Sequence, residues 1–287
     1  EAIVLDGSEP YPCPTHDGIG SVTCSEKGAE DYIEHIKSTI SDSISGMKIA
    51  FDCSNGSASR TAKKLFTDLG IDCVMLNDTP DGKNINNKCG STHMEKLAEY
   101  VKTHNDIDAG IAFDGDGDRI GIVDEKGNLV KTDMFMLIIW KSIYKTCHNK
   151  TASFDVKCSL ALKESLEKLG LKTAYNKTGH SYLKKAIKEN NYDFAGEFSG
   201  HVCFNDEFYG YDDALYAAGR LLKILSNTNL NVSDYFIDVP KYYSSKENYI
   251  EVGEDNKDKI VNKILNYAKS KNYNIITVDG VRIEYDN

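Results

Sequence analysis

The chain has 287 residues, 44 acidic against 34 basic, and a formal net charge of -10. That balance leaves no electrostatic footprint for nucleic acid, whereas a small phosphorylated ligand needs only a few local Arg, Lys and N–H groups. The eight cysteines are scattered and read as free thiols of a reducing, cytoplasmic compartment, and the apolar run Met134 to Trp140 is far short of the roughly 20 residues a membrane helix needs.

After a polar, Pro- and Gly-rich start, short β-branched runs alternate with amphipathic segments, the pattern of an α/β fold. It predicts a strand over Met47 to Phe51, a helix over Ser59 to Leu69 ended by Gly70, and a strand over Cys73 to Leu76. A helix over Ser91 to His104 follows, with Ser91 and Thr92 placed to cap it. Ala109 to Phe113 is the next strand; Ile120 to Asp124 and Leu129 to Lys131 read as a hairpin, before a helix from Asp133. The rhythm restarts after residue 150 with strand Ser153 to Val156, helix Leu160 to Leu169, strand Thr173 to Tyr175 and helix Tyr182 to Glu189. Two short strands around Gly196 and Val202 lead into a long helix, Asp212 to Leu225, and a polar end carries one helix, Lys257 to Lys269, and a hairpin over Ile275 to Tyr285. The expectation is two similar three-layer α/β domains with mixed sheets plus a truncated α+β C-terminal domain, divided at 1–24, 25–128, 129–238 and 239–287.

Directly after an apolar strand stands Asp114-Gly115-Asp116-Gly117-Asp118-Arg119. Carboxylates at alternate positions, separated by glycines, can converge on one point beyond the strand end, which suits a hard divalent cation. Without that cation or a proton they repel one another. Arg119 beside such a metal suits a phosphoryl group in transfer, whose oxygens gather charge. Other chemistries share the pattern: an EF-hand would take Asp114, Asp116, Asp118 and Glu125 but needs glycine where Arg119 stands, an aspartyl-phosphate phosphatase would use Asp114 as nucleophile, and a solvated turn would need no ion.

Gly196-Glu197-Phe198-Ser199-Gly200-His201 would project a carboxylate, a hydroxyl and an imidazole from one tight loop. Glu and Ser suit sugar hydroxyls, and His suits proton transfer near neutral pH; alone, the stretch could also be an ordinary hairpin. Lys177-Thr178-Gly179-His180-Ser181 opens a helix, where N–H groups meet an anion or where Ser181 simply caps.

Taken together with Asp155-Val156-Lys157-Cys158 and Tyr211-Asp212-Asp213-Ala214, these loops resemble the α-D-phosphohexomutase superfamily in order and spacing. The sugar loop is most similar to the phosphomannomutase/phosphoglucomutase type, while Asn84 to His93 looks more like phosphoglucosamine mutases, which usually carry Gln where Phe198 stands. The resemblance implies a phosphoserine that donates to a hexose phosphate, with hexose 1,6-bisphosphate as intermediate and activator. It implies Mg²⁺ on Asp114, Asp116 and Asp118, catalysis by Arg119, Lys157 and His201, and a substrate cleft of Glu197, Ser199, His201, Lys177 and His180. Residues 25–128 would then be the metal-binding domain, 129–238 the sugar-binding one and 239–287 part of a phosphate-binding one.

Two family features have no counterpart in the chain. The serine loop is missing, since Thr151-Ala152-Ser153-Phe154 leads straight into Asp155-Val156-Lys157, where the family has a buried strand of the third domain, and so is the last domain's phosphate loop. The expectation is therefore a fragment, inactive alone, whose N-terminal and C-terminal domains belong to the same polypeptide; a non-catalytic metal- or sugar-phosphate-binding module is the other reading.

Overall fold

A computed structural model describes residues 14–25, 27–40, 44, 46–243 and 247–285. In the first sheet β1 (Lys48–Asp52) lies between β2 (Asp72–Leu76) and β3 (Ala109–Phe113), parallel to both. The antiparallel strands β4 (Ile120–Val123) and β5 (Leu129–Val130) extend it to the order β2-β1-β3-β4-β5. A parallel strand covered on both faces must be apolar throughout, and β3 is buried at every position. The second sheet repeats the plan. Here β6 (Thr151–Asp155) lies parallel between β7 (Lys172–Asn176) and β8 (Phe194–Gly196), with β9 (Val202–Phe204) antiparallel at the edge. A small antiparallel pair, β10 (Asn274–Ile276) and β11 (Arg282–Glu284), closes the described chain.

Eight helices accompany the strands: α1 (Gly28–Ile40), α2 (Ala62–Asp68), α3 (Glu95–Thr103), α4 (Thr132–Ile143), α5 (Leu160–Lys168), α6 (His180–Asn190), α7 (Ala214–Thr228) and α8 (Glu254–Ser270) among the described residues. The run Phe135 to Trp140 in α4 is buried on all sides, because the helix packs on β4 of one sheet, β8 of the other, and α5 and α7. In turn α7 meets β3, β4 and α1, so one apolar cluster runs from Phe51 and Phe113 through Trp140 to Phe154 and Phe204. Each such side chain contributes about 1.5–3 kcal/mol by leaving water, which sets the two sheets in a common frame. Among the described residues no helix is long and apolar enough to cross a membrane.

Helix α1 has no counterpart in the sequence reading, although its signals are present. Ile33, Ile36 and Ile40 recur at helical spacing and are buried, with Glu30 and Asp31 in the first turn and Lys37 in the last. The expected capping by Ser91 is not made, and α3 begins only at Glu95. The Ser91 N–H is drawn instead to the Phe113 carbonyl at 3.1 Å, and Gly90 N–H to Asp52 at 3.0 Å, as the preceding loop folds over the ends of β1 and β3. Helix α6 starts at His180, two residues early, so Ser181 lies inside it and Gly179 takes the cap position. In α7 the cap is Asp213, which accepts from Tyr216 N–H at 2.9 Å and from the Tyr32 hydroxyl of α1 at 3.0 Å. Asp212 is left to face the loops.

Candidate active site

The apolar strand β3 delivers Asp114 to its C-terminal end almost fully buried. There Asp114 Oδ1 accepts from the Arg119 backbone N–H at 3.1 Å and Oδ2 from Arg119 Nε at 2.5 Å. Among the described residues neither terminal guanidinium nitrogen of Arg119 bonds to protein, so both are left for a ligand. Burial opposes ionisation of Asp114, but the Arg119 N–H and guanidinium outweigh it and hold the carboxyl below its usual range.

Oxygens of Asp114, Asp116 and Asp118 lie within 4.8 Å of one another. Asp118 Oδ1 is buried without a hydrogen bond, its nearest cation, Arg119 Nε, standing 3.8 Å off. Burial, then the charges of Asp114, Asp116 and Asp212, push the Asp118 carboxyl up despite His201. Hard oxygens in mutual repulsion, one of them orphaned, fit a divalent cation such as Mg²⁺. The EF-hand alternative fails: Glu125 turns away to bond Ser233 through Oγ at 2.5 Å and N–H at 3.2 Å. Behind the loop, Ser57 N–H donates to the Gly115 carbonyl at 2.8 Å, and a Cβ on Gly56 would overlap that same oxygen.

The Glu197 to His201 loop closes onto this one. Ile120 N–H donates to the Gly200 carbonyl at 3.2 Å, Arg119 and His201 form an antiparallel bridge, and Ala214 N–H donates to the Gly117 carbonyl at 3.0 Å. Gly200 has φ +116°, and a Cβ there would stand 3.1 Å from Arg119 Cβ. His201 spans the seam, with Nδ1 2.9 Å from Glu197 Oε2 and Nε2 3.3 Å from Asp118 Oδ2. Burial lowers its pKa, but the Glu197 hydrogen bond and the charges of Asp118, Glu197 and Asp212 prevail and raise it above the usual imidazole value. Glu197 Oε2 also accepts from Ser199 Oγ at 3.1 Å, and Oε1 accepts from Gly179 N–H. Burial works against the Glu197 charge, yet these donors and His201 hold its pKa down. The helix N-terminus that the sequence offers to an anion is thus partly met by Glu197 itself.

A residue that the sequence named within Asp155-Val156-Lys157-Cys158, without a role of its own, ties three loops together. Asp155, fully buried at the end of β6, accepts from Phe198 N–H at 3.0 Å, Cys158 Sγ at 3.1 Å and Thr178 Oγ1 at 3.3 Å. Its signal was a carboxylate ending a strand, as for Asp114, on a strand that Thr151 and Ser153 make less apolar. His180 enters the cleft, its ring 5.3 Å from that of His201. Lys177 is exposed, with Nζ 5.4 Å from the Tyr182 ring. Lys157 stands apart: its ammonium pairs with Glu247 at 2.7 Å, and no hydrogen bond or ion pair among the described residues joins it to Glu197, His201 or the acidic loop.

Two α/β units thus set a carboxylate cluster on one strand-end loop against a Glu-Ser-His loop on the other, and comparison with known proteins gives the family. Residues 30–127 match the model of phosphoglucomutase/phosphomannomutase alpha/beta/alpha domain II, and residues 131–243 match that of domain III. The chain belongs to the α-D-phosphohexomutase superfamily. Among curated relatives, the phosphoglucosamine mutase of Clostridium acetobutylicum is 39% identical over 235 residues, covering 81% of this chain and 52% of the relative. That of Staphylococcus aureus (strain Newman) is 37% identical over 247 residues, covering 85% and 54%. A phosphoglucomutase/phosphomannomutase family protein of Burkholderia thailandensis superposes with a TM-score of 0.78 at 31% identity, over 90% of this chain and 56% of that one. Aspergillus fumigatus N-acetylphosphoglucosamine mutase, solved with GlcNAc-6P and magnesium, shares the fold at a TM-score of 0.59 and 17% identity, over 75% of this chain and 54% of that one. The chain spans about half the length of the curated relatives it matches.

Proposed function

We propose that this chain is the metal- and sugar-holding part of a phosphohexomutase that exchanges a phosphoryl group between the 1- and 6-positions of a hexose phosphate, with glucosamine phosphate as substrate ahead of mannose or glucose phosphate. The observation that carries the reading is His201, whose ring touches Asp118 on one side and Glu197 on the other. The preference for glucosamine phosphate rests on the curated relatives and on Asn84 to His93, against the mannose/glucose type that the sugar loop resembles.

In this mechanism Asp114, Asp116 and Asp118 hold Mg²⁺, which when bound supplies Lewis-acid polarisation of a phosphoryl oxygen. Arg119, anchored through Nε, offers its terminal nitrogens to that phosphoryl group. Glu197 and Ser199 exchange their mutual hydrogen bond for bonds to sugar hydroxyls. His201 holds the proton that passes between a hydroxyl and its ring nitrogen. Lys177 and His180 meet the sugar phosphate at the mouth of the cleft, and Lys157 joins them once it leaves Glu247. The phosphoserine donor and the second phosphate grip lie outside these 287 residues, so the chain binds a hexose phosphate without turning it over.

Calorimetric titration of the chain with glucosamine 6-phosphate, mannose 6-phosphate and glucose 6-phosphate, with and without Mg²⁺, tests the reading. Binding should be tightest for the amino sugar and weakened by Glu197→Gln. Absence of binding by all three sugar phosphates would sink it, and measurable interconversion by the chain alone would remove the claim of inactivity.

A further inference from the structure

His180 stands at the start of α6, and one turn on its neighbour Lys184 places Nζ 2.9 Å from His180 Nδ1 and 2.6 Å from Asp212 Oδ1. An ammonium has three donors and no acceptor, so Nδ1 must present its lone pair to it. A neutral imidazole has one proton, which this contact assigns to Nε2 on the opposite edge of the ring. Among the described residues no protein group hydrogen-bonds that Nε2. Asp212, with its side chain 5% exposed, is the anchor that holds Lys184 in place. Its second oxygen lies 3.5 Å from His180 Nδ1 and takes no hydrogen bond, so the competing arrangement, Nδ1–H pointing to Asp212, is not the one adopted.

We propose that Lys184 and Asp212 are positioning residues that lock His180 in its Nε2–H form, making it a hydrogen-bond donor to an oxygen of the ligand in the cleft. The nature of that ligand, a sugar phosphate, rests on the function proposed above. The tautomer does not, since it follows from His180, Lys184 and Asp212 without a ligand. The arrangement separates the two cleft histidines by role: His201, set between two carboxylates, handles protons, whereas His180 binds an acceptor oxygen.

The test is long-range ¹H–¹⁵N correlation of histidine in the 287-residue chain at about pH 8, above the usual imidazole range. His180→Gln assigns the signals. The unaltered chain should show an unprotonated Nδ1 and a protonated Nε2 for His180. Lys184→Met should move both nitrogens toward the averaged values of a free ring, while Lys184→Arg, also donor-only, should keep them apart. Asp212→Asn should move them as Lys184→Met does, which keeps the test open should one variant fold poorly; circular dichroism reports that. An averaged or Nδ1-protonated pattern in the unaltered chain, or one unmoved in Lys184→Met, overturns the proposal. Because the readout needs neither ligand nor turnover, it can fail while the mutase reading stands, and the reverse.

Discussion

Nε2 of His201 lies 3.3 Å from Oδ2 of Asp118, although the two residues belong to different α/β units. The relationship exists because α4 packs on β4 and β8, and α7 packs on β3 and β4 while its Tyr216 meets Phe204 of β9, so that the strand-end loops share one frame.

The acidic loop is expected to bind Mg²⁺ in this chain without any sugar. At about 100 times the dissociation constant, a ligand specific for the folded state adds about 2.7 kcal/mol of stability. A melting temperature that rises with Mg²⁺ and loses that response in Asp118→Asn would agree. One that rises equally in the variant would place the ion elsewhere.

The seam between the loops depends on Gly200. Its φ of +116° is closed to ordinary L residues, and an added Cβ would crowd Arg119 and the Ile120 carbonyl. Gly200→Ala should cost about 1–3 kcal/mol, read from urea unfolding. It should also weaken hexose phosphate binding, since Glu197 and His201 flank the displaced residue. Unchanged stability would show that the seam is not as tight as the geometry requires.

Asp193 gives a pH dependence of known sign. Its carboxylate, 3% exposed, accepts from Asn149 N–H at 2.7 Å and from His148 N–H and Nδ1 at 3.0 Å. Burial opposes the charge, but these donors prevail and the folded pKa lies below the usual carboxylate value. The stabilisation is therefore complete above the unfolded pKa of about 3.9 and is lost as pH falls through the lower folded value. Asp193→Asn should be less stable than the parent by about 1–3 kcal/mol at neutral pH. That gap should close below the carboxylate range; a gap independent of pH would contradict the assignment.

Arg282 should govern the Lys157 loop from a distance in sequence. One terminal nitrogen donates to the Val156 carbonyl at 2.7 Å and the Cys158 carbonyl at 2.6 Å, and the guanidinium lies 4.9 Å from the Tyr175 ring. Arg282→Ala should speed amide hydrogen exchange around residues 156–158 while leaving β3 protected. Lys cannot also supply the second donor, Nε, which bonds Glu284 at 3.1 Å, so Arg282→Lys should rescue only in part. Equal exchange in all three chains would rule out the clamp.

What sequence alone determined is what depends on local period and short spacing. The repeated α/β rhythm was legible because buried parallel strands must be apolar throughout and amphipathic helices must follow a 3.6-residue period. The convergence of Asp114, Asp116 and Asp118 was legible for the same reason, since five residues at a strand end have few places to go. Helix α1 escaped that reading even though its isoleucine spacing and end charges were present. Ser91 looked like a cap because local chemistry favoured it, yet its N–H holds this stretch against the Phe113 carbonyl and the helix starts only at Glu95. Only the tertiary structure decided that His201 reaches Asp118, that Asp155 binds three loops, that Lys157 pairs with Glu247, and that Lys184 reads the tautomer of His180. Apart from the contacts of Lys184 with His180 and of Asp155 with Cys158, these join segments far apart in sequence, and the one between His201 and Asp118 is set by how the two sheets pack on α4. No local pattern encodes that distance.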